Sequence, residues 1–82
     1  MVKYTLITRD DCPYCTQAKT LLADNEISYS ELKIGVDLTR DDVLTNYPDQ
    51  NVLPIVIHEE EVLGGYLDLL DHMFPPLNRI SQ

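Results

Sequence analysis

The chain has 82 residues, of which 44% are apolar, and its 6 basic and 14 acidic residues give a formal net charge of −8. This length fits a single domain over residues 1–82 with a real hydrophobic core, and no apolar run approaches the length of a membrane-spanning helix. The acidic balance disfavours nucleic acid and acidic membrane surfaces as partners and favours a basic patch on a protein. We therefore expect a soluble monomer that binds neither nucleic acid nor membranes.

Short strands and helices alternate through the first half of the chain. Residues 2–8 are rich in β-branched and aromatic side chains and predict a strand, and residues 13–24 have the periodicity of a helix. The predicted apolar face of that helix comprises Tyr14, Ala18, Leu21 and Leu22. Polar and apolar residues alternate over 28–34, which predicts a second strand. Thr39 and Asp42 have the spacing of a capping box and predict a short second helix.

The second half of the chain changes to an antiparallel pattern. Residues 54–58 predict a β-branched strand and residues 61–63 a returning strand, so the two should form a hairpin. Apolar residues then repeat at helical spacing over 66–73, and Pro75-Pro76 should end this helix and leave residues 77–82 as a loose tail. The order βαβαββα predicts an α/β fold with a four-stranded mixed sheet flanked by three helices on its two faces.

The only two cysteines lie in the tetrapeptide Cys12-Pro13-Tyr14-Cys15, where the first helix begins. A disulfide between them closes too short a loop to remove much entropy from the unfolded chain, so the spacing favours reversible redox chemistry over structural cross-linking. Pro13 favours the first helical position, which places Cys12 at the N-cap, where backbone N–H groups and the helix dipole stabilise a thiolate. Cys12 is therefore the expected nucleophile, and Cys15 the resolving thiol.

Two other uses of the cysteine pair are open. A structural disulfide fits secreted domains, but these usually carry four or more cysteines, and we expect no signal peptide here. A zinc or iron–sulfur site normally needs four ligands, so a site within one chain would have to use both His58 and His72 beside the two thiols, and we expect no metal within a monomer. An iron–sulfur cluster shared between two chains escapes this objection. Both histidines are expected at the surface, outside the catalytic site.

The combination of motifs resembles a dithiol glutaredoxin of the thioredoxin fold. It consists of the Cys-Pro-Tyr-Cys segment after the first strand, Val52-Leu53-Pro54 before the hairpin and Gly64-Gly65 before the last helix, and it spans nearly the whole chain. The resemblance implies a cytoplasmic thiol–disulfide oxidoreductase that uses glutathione to reduce protein disulfides and glutathione mixed disulfides, with clients such as ribonucleotide reductase. Alternatives are a redoxin reduced by thioredoxin reductase and a binding module that carries an iron–sulfur cluster.

The resemblance also implies where glutathione binds. Pro54 should be cis, and the backbone of Leu53 should pair with the cysteinyl part of glutathione. Arg9 occupies the position of a family lysine and could pair with the glycine carboxylate, and Tyr14 should flank the groove. The start of the last helix should hold the γ-glutamyl group. The residues expected there are Gly65, Tyr66, Leu67 and Asp68.

The sequence departs from the family pattern at this last position. The family places Asp or Ser where this chain has Leu67, and Asp68 follows one residue later. The backbone N–H groups of the helix start can still bind a carboxylate. The side-chain contact to the ligand's ammonium group is lost, so we expect weaker glutathione binding than in relatives that keep it.

Overall fold

The structure is a computed structural model that describes residues 4–74. The predicted beginning of the first strand at residues 2–3, the stop at Pro75-Pro76 and the tail at 77–82 lie outside the described residues. Within them, no helix is both long and apolar enough to cross a membrane.

The described elements follow the predicted order. They are β1 (Tyr4–Thr8), α1 (Pro13–Asp24), β2 (Tyr29–Lys33), α2 (Arg40–Asn46), β3 (Ile55–His58), β4 (Glu61–Gly64) and α3 (Tyr66–Met73). The sheet has the order β2-β1-β3-β4. Strand β1 runs parallel to β2 and antiparallel to β3, and β3 pairs antiparallel with β4. The predicted four-stranded mixed sheet with three helices is confirmed.

The sheet has a hydrophobic core on each face. The first core joins the sheet to α1 and α3 and comprises Tyr4, Leu6, Ala18, Leu22, Val56 and Leu69. The second joins the sheet to α2 and comprises Ile7, Val43, Ile55 and Ile57. Successive strand residues point to opposite faces, which is why Leu6 and Ile7 belong to different cores. Each fully buried aliphatic side chain contributes about 1.5 to 3 kcal/mol to folding.

Helix α2 begins with the predicted capping box. The Thr39 hydroxyl oxygen accepts a hydrogen bond from the Asp42 N–H at 3.1 Å, and the Asp42 carboxylate accepts one from the Thr39 N–H at 2.9 Å. The hydrogen bond to the Thr39 backbone lowers the pKa of Asp42. This cap fixes the start of a helix of only 7 residues, which Val43 anchors in the second core.

The apolar face predicted for α1 is wrong at its first position. Ala18 and Leu22 are buried as expected, but the Tyr14 side chain is 56% exposed, and Cys15 at 2% exposure takes the buried place. Cys15, Ala18 and Leu22 repeat at helical spacing and face the sheet. Tyr14 lies one residue before this stripe and points away from the core.

The two histidines lie at the end of the sheet remote from the cysteines. His58 pairs with Tyr4 at the start of β1, whereas Cys12 follows the end of that strand. The rings of Tyr4 and His58 are 4.8 Å apart between centroids, and those of His58 and His72 are 4.7 Å apart. His72 is exposed and His58 half-buried, and this aromatic cluster packs α3 against the strand end.

Glu31 links β2 to β1 and α1. Its carboxylate accepts hydrogen bonds from the Thr8 hydroxyl and from the Lys19 ammonium, the latter at 3.1 Å. The hydrogen bond from Thr8, followed by that from Lys19, lowers the pKa of Glu31. Because the folded-state pKa lies below the unfolded one, this stabilisation is complete above the ordinary glutamate pKa and is lost as the pH falls through the folded value.

We expect Glu31→Gln to lower the free energy of unfolding by about 1 kcal/mol at neutral pH, since the charged acceptor is lost at a half-buried position. The difference from wild type should vanish in acid, at a pH below the folded-state pKa of Glu31, where both proteins carry a neutral side chain. Urea denaturation at the two pH values measures this, with Glu60→Gln in the exposed hairpin turn as the control. A difference that persists in acid would show that shape, not charge, makes Glu31 important.

Candidate active site

Cys12 lies at the N-cap of α1, and Pro13 occupies the first helical position. The Cys12 sulfur accepts a hydrogen bond from the Cys15 backbone N–H at 3.2 Å. This bond and the positive end of the helix dipole stabilise a negative charge on that sulfur once the pair is reduced. Cys12 is half-buried and Cys15 buried, so an incoming disulfide can reach only the first sulfur readily. The division of roles between the two cysteines stays a prediction, and this difference in exposure favours Cys12 as the nucleophile.

The two sulfurs are joined in a disulfide, and the Cα atoms of Cys12 and Cys15 are 5.2 Å apart. The same two residues can therefore give up and take up an electron pair. In the reduced form, the Cys12 thiolate can attack a substrate disulfide and form a mixed disulfide, which releases the other substrate sulfur as a thiolate. Cys15 can then attack the Cys12 sulfur, which frees the second substrate thiol and restores the internal disulfide.

The loop before Cys12 is tied to β2 by an ion pair. The Lys33 ammonium lies 2.7 Å from the Asp10 carboxylate, and this hydrogen bond lowers the pKa of Asp10. Asp11 adopts a positive φ of 57°, a conformation that Asp tolerates better than most residues, and it turns the chain into the helix. Because Lys33 neutralises Asp10, that carboxylate opposes the neighbouring Arg9 less than the sequence suggests.

A cleft of about 550 Å³ opens beside Cys12. Apolar side chains of α2 and of the segment before β3 line it together with Arg9, Arg40 and one acidic residue, Asp11. Within the described residues, the two lysines are engaged in ion pairs with Glu31 and Asp10. The two arginines among the described residues both lie at the cleft. The cleft thus concentrates positive charge in a protein whose formal net charge is −8.

Several of the predicted glutathione contacts meet in this cleft. Arg9, Cys12, Tyr14 and Leu53 all line it. The Leu53–Pro54 peptide bond is cis, as the resemblance implied, and Pro54 is buried between Leu53 and Ile55, which line the cleft. Arg40 was missed by the sequence interpretation. Its only sequence signal is a basic residue directly after the Thr39 cap, and that signal does not show that α2 packs beside Cys12.

The other predicted contacts lie at the start of α3, outside the cleft lining. Gly65 is the N-cap of α3, and its backbone N–H donates to the Asp68 carboxylate at 2.9 Å. The Tyr66 ring stacks on Tyr14 with the ring centroids 5.8 Å apart, which joins the starts of α3 and α1. Leu67 is exposed. Asp68 thus caps its own helix, and its availability for a ligand ammonium group, as considered from the sequence, stays a prediction.

A mixed four-stranded sheet of thioredoxin-like topology, with a disulfide-forming Cys-x-x-Cys pair at the N-terminus of its first helix, defines a thiol–disulfide oxidoreductase. Comparison with known proteins agrees with this class. Residues 4–63 match the family model described as Glutaredoxin, so the chain belongs to the glutaredoxin family.

Individual relatives show the same likeness. Glutaredoxin 3 of Escherichia coli (strain K12) is 28% identical over 69 residues, which cover 84% of this chain and 83% of the relative. Glutaredoxin 1 of Rickettsia bellii is 32% identical over 77 residues, covering 87% of this chain and 74% of the relative. The crystal structure of glutaredoxin 1 from Francisella tularensis matches with a TM-score of 0.72 at 24% identity, covering 96% and 95% of the two chains, which supports the fold.

Proposed function

We propose that this protein uses glutathione as its electron donor to reduce protein disulfides and glutathione mixed disulfides in the cytoplasm, where thiols are kept reduced. The observation that carries the proposal is the position of Arg9 and Arg40, which both line the cleft beside Cys12. Glutathione carries a carboxylate close to its cysteine, and an arginine guanidinium is the side chain best suited to bind a carboxylate. Two glutathione molecules would reduce the Cys12–Cys15 disulfide and leave as glutathione disulfide.

Thioredoxin reductase is the second candidate for the electron donor. The start of α3 favours it, because Leu67 provides no acceptor for a γ-glutamyl ammonium group and the Asp68 carboxylate is bonded to Gly65. A redoxin reduced by a protein would not need this contact. With either electron donor, the clients would be disulfide-containing proteins, of which ribonucleotide reductase is an example in the family.

The electron donor can be tested directly with the oxidised protein. We expect NADPH consumption with glutathione and glutathione reductase, and little with thioredoxin reductase. Reduction by thioredoxin reductase alone would refute glutathione dependence while leaving the oxidoreductase class intact.

The role of the cleft arginines predicts a second result. Arg40→Gln should raise the KM for glutathione about ten-fold and change kcat little, since it removes a charge-assisted hydrogen bond to the bound carboxylate. Lys19→Gln removes the same charge from a residue that pairs with Glu31 and does not line the cleft, and it should leave the KM within about two-fold. Equal effects of the two variants would mean that net charge, not a contact, governs glutathione binding.

A further inference from the structure

The start of α3 presents an exposed apolar surface beside the reactive cysteine. We name it the apolar flank and define it by Tyr14, Val52, Tyr66 and Leu67. The side chains of Val52 and Leu67 are 60% and 72% exposed. Tyr14 and Tyr66 stack on each other, and Val52 lies against Gly65, where an added Cβ would meet its methyl group at 3.4 Å. The flank is thus continuous from the active-site tetrapeptide to α3.

This surface is a poor place for a second carboxylate. The Asp68 carboxylate lies 2.9 Å from the Gly65 nitrogen and places a negative charge at the N-terminus of α3. That charge offsets the positive end of the helix dipole, which would otherwise attract an anion. No cation of the described residues belongs to the flank: two are in ion pairs, and the two arginines line the cleft, which the flank borders at Tyr14 and Val52.

The surroundings of Cys12 therefore offer two different kinds of contact. Arg9 and Arg40 in the cleft suit an acidic group, and the end of the apolar flank beyond the cleft lining, at Tyr66 and Leu67, suits an aliphatic or aromatic side chain. Glutathione has a carboxylate at each end, so only one of its ends matches this arrangement. A polypeptide cysteine with one acidic and one apolar neighbour matches both kinds of contact.

We propose that the preferred substrates are polypeptide disulfides in which an apolar residue flanks the reacting cysteine on one side and an acidic residue on the other. This inference rests on the proposed function and specifies which disulfides the protein reduces. The Cys12 thiolate attacks the cysteine sulfur of the substrate, the substrate disulfide breaks, and its second sulfur leaves as a thiolate that takes up a proton. Cys15 then displaces the bound sulfur, so two electrons pass from the dithiol to the substrate.

Single-turnover kinetics with the prereduced protein test this preference without any electron donor. The substrates are homodisulfides of terminally blocked tripeptides of sequence Leu-Cys-Glu, Glu-Cys-Leu and Glu-Cys-Glu, and acid-quenched samples are separated by chromatography. The faster of Leu-Cys-Glu and Glu-Cys-Leu, which we call the preferred peptide, should react about ten-fold faster than Glu-Cys-Glu. Equal rates for all three peptides would overturn the inference. Failure to react with any disulfide would instead overturn the proposed function.

A matched pair of variants locates the preference on the apolar flank. In wild type, the preferred peptide should react about ten times as fast as Glu-Cys-Glu. In Leu67→Asp this ratio should fall to about one or two, because the new charge removes the apolar contact. Val36→Asp introduces the same charge at an apolar residue that is also exposed but does not line the cleft, and it should keep the wild-type ratio. An unchanged ratio in Leu67→Asp would contradict the assignment. Dimerisation of wild type at assay concentration that Leu67→Asp abolishes would show that a second copy covers the flank, and would also overturn it.

Discussion

Cys12→Ser should remove every thiol–disulfide activity of this protein, whereas Cys15→Ser should remove the reduction of protein disulfides and spare glutathione mixed disulfides. Serine keeps the shape of the side chain but not a nucleophile that is ionised near neutral pH, so the loss in Cys12→Ser should be about a thousand-fold or more. In Cys15→Ser the attack by Cys12 is intact. A mixed disulfide between Cys12 and glutathione can then be resolved by a second glutathione, so that reaction does not require Cys15.

Two assays separate these roles. Reduction of a protein disulfide such as that of insulin reports the dithiol reaction, and release of glutathione from a mixed-disulfide peptide reports the monothiol reaction. Thr20→Ser, at an exposed position of α1, controls for a hydroxyl change in the same helix. Equal losses of both reactions in Cys15→Ser would show that Cys15 supports the Cys12 thiolate itself, and that the division of roles drawn from burial is wrong.

Features set by neighbours along the chain were predictable from the sequence. The capping box of Thr39 and Asp42 depends on residues three apart, and the N-cap position of Cys12 depends on the proline after it. The order of strands and helices followed from periodicity in the same way. In each case the interacting groups lie within one turn, so local spacing determines the contact.

Contacts between distant segments were not predictable in this way. Arg40 reaches the cleft because α2 packs on the sheet beside Cys12, and Tyr14 lies outside the core, where its ring meets Tyr66 from the start of α3. Periodicity assigned Tyr14 to the core since it lies four residues before Ala18. At the first turn of α1, however, a side chain can extend past the sheet, and a tertiary partner then decides its direction.

Leu69→Ala should be the most destabilising of the substitutions considered, by about 2 to 5 kcal/mol. Leu69 is fully buried with Leu6, Leu22 and Val56, and among the described residues it is the only buried residue of α3, since Tyr66 and Met73 pack against this core only in part. Truncation leaves a cavity between α3 and the sheet that the surrounding side chains fill only in part. Urea denaturation followed by circular dichroism gives the free energy of unfolding.

Leu67→Ala is the matched control, because it makes the same change two residues earlier in the same helix at 72% exposure. It should alter the free energy of unfolding by no more than about 0.5 kcal/mol. The contrast also bears on function, since α3 carries Tyr66 against Tyr14 at the entrance to the active site. If Leu69 holds α3 on the sheet, Leu69→Ala should lose its preference among the three peptide disulfides at urea concentrations where wild type keeps it. Equal stabilities of the two alanine variants would mean that α3 is held by its ends, through the tyrosine stack and the histidine cluster, and not by the buried leucine between them.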